Sequence, residues 1–399
     1  MKYKTLHVKN FGPIKDAKIE LKPVNLFIGE QSIGKSTLAK LITIFTDHVS
    51  LCEIVSGSNP LWEYQLKEYN LDIYKDDPYY IAFDMHEDDQ AFHIQVEAGN
   101  ISFYLIDGNQ KITDKDKITT KIITLKKIFH EDKFAEELRK KAAAGIPNED
   151  LLNLFSNSLY IPAERIICSV LTNLMPALYL AKSSIPKNLV RFLMELNNAK
   201  SEYPKLPIDL LNISFNYEDN KDFIILDSTQ QPIPMTAASS GIQSLVPLLL
   251  VLRYVIDKRE YASFVVEEPE CNLFPTKQVE LLRQIIGMIK NPNHILTITT
   301  HSPYLLSAMN NILFAGDLYK SGGEELRKYI DTIIPNGSLL DASECSVYSL
   351  GEEINEGIYC KSLIDPETGM IDFNSLDGVS EELGEEFDEL QRAAIKFKS

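Results

Sequence analysis

Apolar and polar positions alternate over residues 2–10 and again over 15–21, with Asn10-Phe11-Gly12-Pro13 between them. A period of two marks half-buried strands, so the chain is expected to open with a β-hairpin. Val24 to Ile28 is a short apolar run bounded by a glycine-bearing turn, which reads as a buried strand. A helical pattern follows from Lys35 to about Thr46. Two more alternating segments, 91–98 and 101–107, meet at Gly99-Asn100. The spacing then predicts helix over 131–158, a strand over 158–161, and helix over 165–199 with a break near Pro186. Segments 211–217 and 222–227 form a second hairpin across Asp219-Asn220. A Pro-rich loop at 231–235 leads to an apolar helix ending near Asp257. Strand 262–267, helix 276–290, strand 294–300 and helix 303–310 complete the periodic part. This alternation of strands and helices indicates an α/β fold with a largely parallel sheet.

Residues 316–399 are acidic and less periodic. Within them Leu383, Phe387, Leu390, Ala394 and Phe397 recur at helical spacing among Glu381, Glu382, Glu385, Glu386 and Glu389. That is an amphipathic C-terminal helix, which either packs on its own domain or docks a partner.

Composition sharpens the picture. The 399 residues include 44% apolar ones, enough for a sizeable core and too many for a disordered chain. The net charge is −17, but residues 316–399 alone hold 19 acids against 7 bases. The first 22 residues hold six lysines against Asp16 and Glu20. The acidity is therefore mostly a property of the tail, and the basic start is a candidate for phosphate-backbone contact. The mixed basic stretch from Lys121 to Lys141 reads as a solvated helix face. The longest greasy stretch, Leu245 to Leu252, contains Pro247 and falls short of the roughly 20 apolar residues of a membrane span. No secretory start is apparent, so neither secretion nor a membrane location is expected. Five scattered cysteines without a CxxC pair argue against a disulfide framework or a structural zinc site and fit a reducing cytoplasm.

The chemistry begins at Gly29-Glu30-Gln31-Ser32-Ile33-Gly34-Lys35-Ser36, which fits GxxxxGK[ST] with a strand before it and a helix after it. Glycines let such a loop wrap closely around phosphates, and the backbone N–H groups with the helix N-terminus favour their charge. Lys35 would reach the β- and γ-phosphates of ATP and Ser36 would ligate Mg²⁺, with Gly29, Gln31, Ser32, Ile33, Gly34 and Thr37 completing the cradle. Downstream, Phe264-Val265-Val266-Glu267-Glu268-Pro269-Glu270 is a buried strand ending in carboxylates. Glu267 would hold Mg²⁺, and Glu268 would orient or deprotonate the attacking water. Glu270 either supports these two or belongs to the following loop. Ser239-Ser240-Gly241 opens the apolar helix, where it either binds a phosphate or caps the helix. His301 follows a strand and precedes Ser302-Pro303, in reach of a γ-phosphate donor role.

The order of these pieces resembles the ABC-class ATPases of the SMC and OLD type, often described as AAA-family ATPases. The stretches "LHVKNFGPIKDAKIEL", "NLFIGEQSIGKST", "YIPAERI" (160–166), "SSGIQSL" (239–245), "VVEEPECNLFP" (265–275) and "ITTHSPYLL" (298–306) carry the resemblance. It implies a P-loop NTPase with an ABC-ATPase head over 1–315, built from a parallel-sheet core, an N-terminal antiparallel β subdomain and a helical insert. Its parts are 1–130 (phosphate loop and β subdomain), 131–235 (helical insert and hairpin) and 236–315 (signature, acidic strand and His motif), followed by an acidic extension, 316–399. It also implies a homodimer or larger homo-oligomer with two ATP molecules sandwiched between heads. Ser239, Ser240 and Gly241 of one copy would then meet the γ-phosphate held by Lys35 of the other, with Leu273 and Phe274 in a dimer-facing loop. Two departures stand out. Glu267 replaces the usual Asp, and Ala163-Glu164-Arg165 replaces the usual Gln of the sensing loop. Arg165 is open to three roles there: phosphate contact, coupling to the helical insert, or a surface salt bridge.

OLD-type proteins often append a nuclease, but 316–399 contains no DxD pair and no histidine. The resemblance therefore points to a regulatory ATPase of the kind found in the anti-phage systems Septu, PARIS and retron-linked cassettes, gating a separate effector. Two alternatives stay open: a RecF-like repair ATPase acting on DNA, and a slow ATP-dependent scaffold.

Overall fold

The computed structural model describes residues 3–47, 50–51, 54–55, 59–87, 90–108, 110–114, 117–118, 158–171, 186–258, 263–290, 294–353 and 357–371. The helix expected over 131–158, the basic stretch 121–141 and the C-terminal amphipathic helix lie outside them.

Strands β1 (Tyr3–Phe11) and β2 (Ile14–Leu21) form the predicted hairpin, paired from Lys4–Leu21 to Phe11–Ile14. Then come β3 (Val24–Gly29) and helix α1 (Lys35–Thr46). After α2 (Asn59–Glu68), strands β4 (Tyr80–Glu87), β5 (Gln90–Glu97), β6 (Asn100–Asp107) and β7 (Gln110–Ile112) add to the hairpin. The result is a six-stranded antiparallel sheet in the order β2-β1-β4-β5-β6-β7. Strand β4 was not anticipated; its buried Ile81, Phe83 and Met85 face α1 while Asp84 and His86 turn outward. On α1, Leu38, Leu41, Ile42, Ile44 and Phe45 are fully buried, each worth about 1.5–3 kcal/mol of apolar burial.

Strand β8 (Ser158–Ile161) precedes a 3₁₀ turn at Ala163–Ile167 and the short helix α3 (Cys168–Leu171). Helix α4 (Lys187–Glu202) leads into a small antiparallel sheet of β9 (Lys205–Ile208), β10 (Ile213–Glu218), β11 (Lys221–Leu226) and β12 (Pro232–Pro234). Asp219 and Asn220 both take positive φ, 49° and 58°, as a tight hairpin turn demands. Helix α5 (Ser240–Lys258), β13 (Ser263–Glu267), α6 (Pro275–Ile289), β14 (Ile295–Thr300) and α7 (Pro303–Ser321) follow.

The sheet does not end there. Beyond α8 (Glu324–Ile333), β15 (Cys345–Glu353) pairs in parallel with β3 over six residues, and β16 (Ile358–Ser362) pairs antiparallel with β15. The core order is β16-β15-β3-β14-β13-β8. Residues 316–371 are therefore not an extension to a head ending at 315; they complete its core sheet. The acidic count hid this, because β15 buries Cys345, Val347 and Leu350 with serines between them rather than a plain apolar run. Asn25 ties the two strands: Ser346 Oγ donates to Asn25 Oδ1 at 2.7 Å, and Asn25 Nδ2 donates to the Lys22 carbonyl at 2.7 Å.

Among the described residues one helix, α5, has the length and apolarity to cross a membrane. Its run of Leu245, Val246, Leu248, Leu249, Leu250, Val251 and Leu252 is buried in the core, packed on α4 and sharing one apolar cluster with residues of β8 and β13.

Candidate functional site

Parallel strands collect chemistry at their C-terminal edge, and here β3, β13 and β14 end side by side. The Gly29–Ser36 loop leaves β3 and enters α1. Gly34 sits at φ 111°, a conformation open to glycine, and a β-carbon there would lie 2.9 Å from the Tyr359 hydroxyl. Ser32 is also left-handed, at φ 61°. Lys35 is buried and folds back on the loop, donating to the carbonyls of Gly29 (2.7 Å) and Glu30 (2.6 Å). Burial pulls its ammonium down to about 8, although Glu268, Glu270 and Glu267 lie close and oppose the shift. Gln31, Ser32 and Ser36 are exposed around it, Ile33 is half-buried and Thr37 is buried.

Glu267 ends β13 and is buried. Burial raises its pKa, against the stabilising effect of the Ser36 and Tyr160 hydroxyls. Tyr160, on neighbouring β8, donates to Glu267 Oε2. The other oxygen, Oε1, is buried and has no hydrogen-bond partner. A buried carboxylate oxygen left free beside a serine hydroxyl and a phosphate-type loop is the donor set a divalent cation takes, so these residues fit Mg²⁺.

Glu268 is half-exposed and sits at φ 42°, left-handed for a residue with a side chain. Its Oε1 lies 3.2 Å from His301 Nε2, and the Cys271 thiol donates to its Oε2 at 3.2 Å. Burial and this carboxylate push the Cys271 thiol up to about 12. His301 Nδ1 is 3.3 Å from Lys35 Nζ. An imidazole with its proton on Nε2 satisfies both neighbours, accepting from Lys35 and donating to Glu268. Glu270 holds this corner: its Oε1 accepts from Thr300 Oγ1 (2.5 Å) and from the His301 N–H (3.0 Å). Burial raises the Glu270 pKa against these bonds.

Lys35, Ser36, Glu267, Glu268 and His301 are thus gathered at one place. Ser239, Ser240 and Gly241 are positioned differently. Ser239 and Ser240 are exposed at the start of α5, and Gly241 after them abuts Asn272 and Leu273; a β-carbon on it would be 2.7 Å from the Asn272 carbonyl. Phe274 in that loop is 73% exposed. Arg165, which the sequence left open to phosphate contact, coupling to the helical insert or a surface salt bridge, is fully buried and reaches neither solvent nor the phosphate loop.

The sequence did not signal the support from β15 and β16. The Tyr359 hydroxyl donates to the Ile33 carbonyl. Gly351, at φ 81°, packs on Ile33 so closely that a β-carbon would lie 2.3 Å from its Cγ1.

Residues 1–306 match the family model described as an AAA ATPase domain. The chain belongs to this family. The AAA ATPase domain supports ATP binding, and its largely parallel core sheet with the phosphate loop is a P-loop ATPase fold. Solved structures similar to the chain include the SMC head domain from Thermotoga maritima, at 13% identity and a TM-score of 0.39, over 77% of this chain and 92% of that one. Another is an SMC head bound to the C-terminal winged-helix domain of ScpA (11%, TM-score 0.39, 76% and 91%). A third is the SMC head with an extended coiled coil bound to the C-terminal domain of ScpA from Pyrococcus furiosus (13%, TM-score 0.38, 77% and 92%). Among curated proteins, none matches the chain.

Proposed function

We propose that this AAA ATPase domain binds and hydrolyses ATP, and that its nucleotide-dependent assembly gates a separate effector in anti-phage defence. The observation that carries the ATPase part is the line Lys35–His301–Glu268, with contacts of 3.3 and 3.2 Å, beside the free oxygen of Glu267. Lys35 leaves the carbonyls of its own loop for the β- and γ-phosphates. Ser36 and Glu267 would hold Mg²⁺, which would neutralise phosphate charge there. Glu268 takes a proton from the water whose oxygen attacks the γ-phosphorus, and ADP leaves. His301, donating its Nε2–H to Glu268, keeps the carboxylate aimed.

The assembly part rests on Ser239, Ser240 and Phe274, which are exposed together and suit a second copy of the chain. The gating part rests on residues 316–371, which carry a core strand pair and, among the described residues, no carboxylate cluster that could hold a metal ion. Direct action on DNA is favoured less, because two of the lysines that suggested it are engaged: Lys9 with Asp16 at 3.3 Å and Lys22 with the Ala342 carbonyl at 3.1 Å.

The test is the solution mass of Glu268→Gln with and without ATP·Mg²⁺, repeated with duplex DNA. An ATP-dependent dimer indifferent to DNA is expected. An unchanged monomer would sink the sandwich, and tight salt-sensitive DNA binding would move the reading to repair.

A further inference from the structure

Arg165 is a charged side chain with no exposed surface at all. Its Nη1 donates to the carbonyls of Pro162 (2.7 Å) and Glu267 (2.6 Å). Its Nη2 donates to the carbonyl of Glu268 (2.8 Å) and lies 3.5 Å from Ser244 Oγ on α5. These partners are main-chain carbonyls and one hydroxyl, and none is a carboxylate. Burying a guanidinium on carbonyls is costly, and burial lowers its pKa.

The carbonyls it holds are the informative part. Two of them, those of Glu267 and Glu268, flank the point where the chain leaves β13, turns left-handed at Glu268 and presents that carboxylate to His301. The Glu268 N–H donates to the Thr299 carbonyl at 2.9 Å, so the residue is pinned on both sides, by β14 at its nitrogen and by Arg165 at its oxygen. A left-handed non-glycine residue costs about 1–2 kcal/mol and persists only where its surroundings fix it. The planar fork suits two adjacent carbonyls; a lysine ammonium is a point charge and does not.

We propose that Arg165 is a positioning residue for hydrolysis: its guanidinium fixes the main chain at Glu267 and Glu268 and thereby aims the Glu268 carboxylate, without touching nucleotide. This rests on the reading of Glu268 as the residue that activates water. Displacing a reacting group by about 1 Å costs on the order of 100-fold in rate. Arg165→Gln is therefore expected to lower kcat about 100-fold while leaving the affinity for a fluorescent ATP analogue within about twofold, and Arg165→Lys is expected to fall between it and the parent.

The deciding measurement is single-turnover hydrolysis of ATP·Mg²⁺ by the full chain and by Arg165→Gln, Arg165→Lys, Glu268→Gln and the double variant Arg165→Gln/Glu268→Gln. Residues that act as a unit are non-additive, so the double variant should match Glu268→Gln alone within about twofold. Multiplying losses, a parallel fall in ATP affinity, or Arg165→Lys turning over like the parent would each overturn the proposal. So would a failure of both Arg165 variants to fold, which assigns the residue to stability alone. Full turnover by Glu268→Gln, or none by the parent chain, would instead overturn the reading beneath it.

Discussion

The phosphate loop leans on a strand pair more than 300 residues away, and Tyr359→Phe isolates that support. Tyr359 is 5% exposed and its hydroxyl donates to the Ile33 carbonyl. The substitution removes one oxygen and leaves the ring in place. A neutral hydrogen bond contributes about 0.5–1.5 kcal/mol net, and up to about 3 kcal/mol where the orphaned acceptor stays dry. Ile33 is half-buried, so its carbonyl regains some water, and the loss is about 1 kcal/mol. Because the bond fixes the loop rather than the core, that energy appears as freedom of the loop before nucleotide arrives. Ordering it again on binding weakens ATP by about fivefold. The assay is titration of a fluorescent ATP analogue against Glu268→Gln with and without Tyr359→Phe, so that hydrolysis does not interfere. Tyr348→Phe is the control: its hydroxyl accepts from the Glu20 N–H at 2.9 Å, away from the loop. It should cost stability while leaving nucleotide affinity alone. Equal ATP affinity in the Tyr359 variant and its parent, or an equal loss in the control, would refute the argument.

Three further outcomes follow from the same geometry. Because burial holds Lys35 near pH 8 rather than 10.5, ATP affinity should fall as pH rises through about 8, by up to about tenfold per unit. The sign is opposite for folding: the unfolded lysine keeps its proton to higher pH, so the cost of burying the ammonium is relieved and stability rises with pH between about 8 and 10.5. A flat binding curve across that window would contradict the burial of the free ammonium. Truncation after Glu344 deletes β15 and exposes one edge of β3, so it should abolish cooperative thermal unfolding; a soluble, ATP-binding fragment would show that the head closes without that strand. Ser240→Arg puts a long cation at the exposed start of α5, and it should suppress ATP-dependent dimers while leaving monomer binding of ATP unchanged by gel filtration and titration.

What could be read from the sequence was chemistry that is contiguous along it. The phosphate loop needs its glycines, Lys35 and Ser36 within eight residues, and Glu267-Glu268 share one strand end, so each announced itself locally. The hairpins at 3–21 and 213–226 were visible because their faces differ, one buried and one wet. Strand β15 is covered on both faces and fills part of its surface with Ser346 and Ser349, so no alternation marks it and the surrounding acids dominate. The contacts that finish the site are long-range: Tyr160 meets Glu267 across 107 positions, His301 meets Lys35 across 266, and Tyr359 meets Ile33 across 326. Periodicity is silent on such pairs, since it reports which face a residue takes and not what lies opposite. Arg165 shows the consequence most sharply. By composition an arginine beside a glutamate is a surface ion pair, yet Glu164 turns outward and Arg165 turns inward to three carbonyls, one in its own turn and two at the exit of β13. The bent exit of β13 supplies two of those carbonyls, and only a side chain with several donors in one plane meets them together. The residue type was therefore selected by a backbone shape that exists only after β8 and β13 have paired.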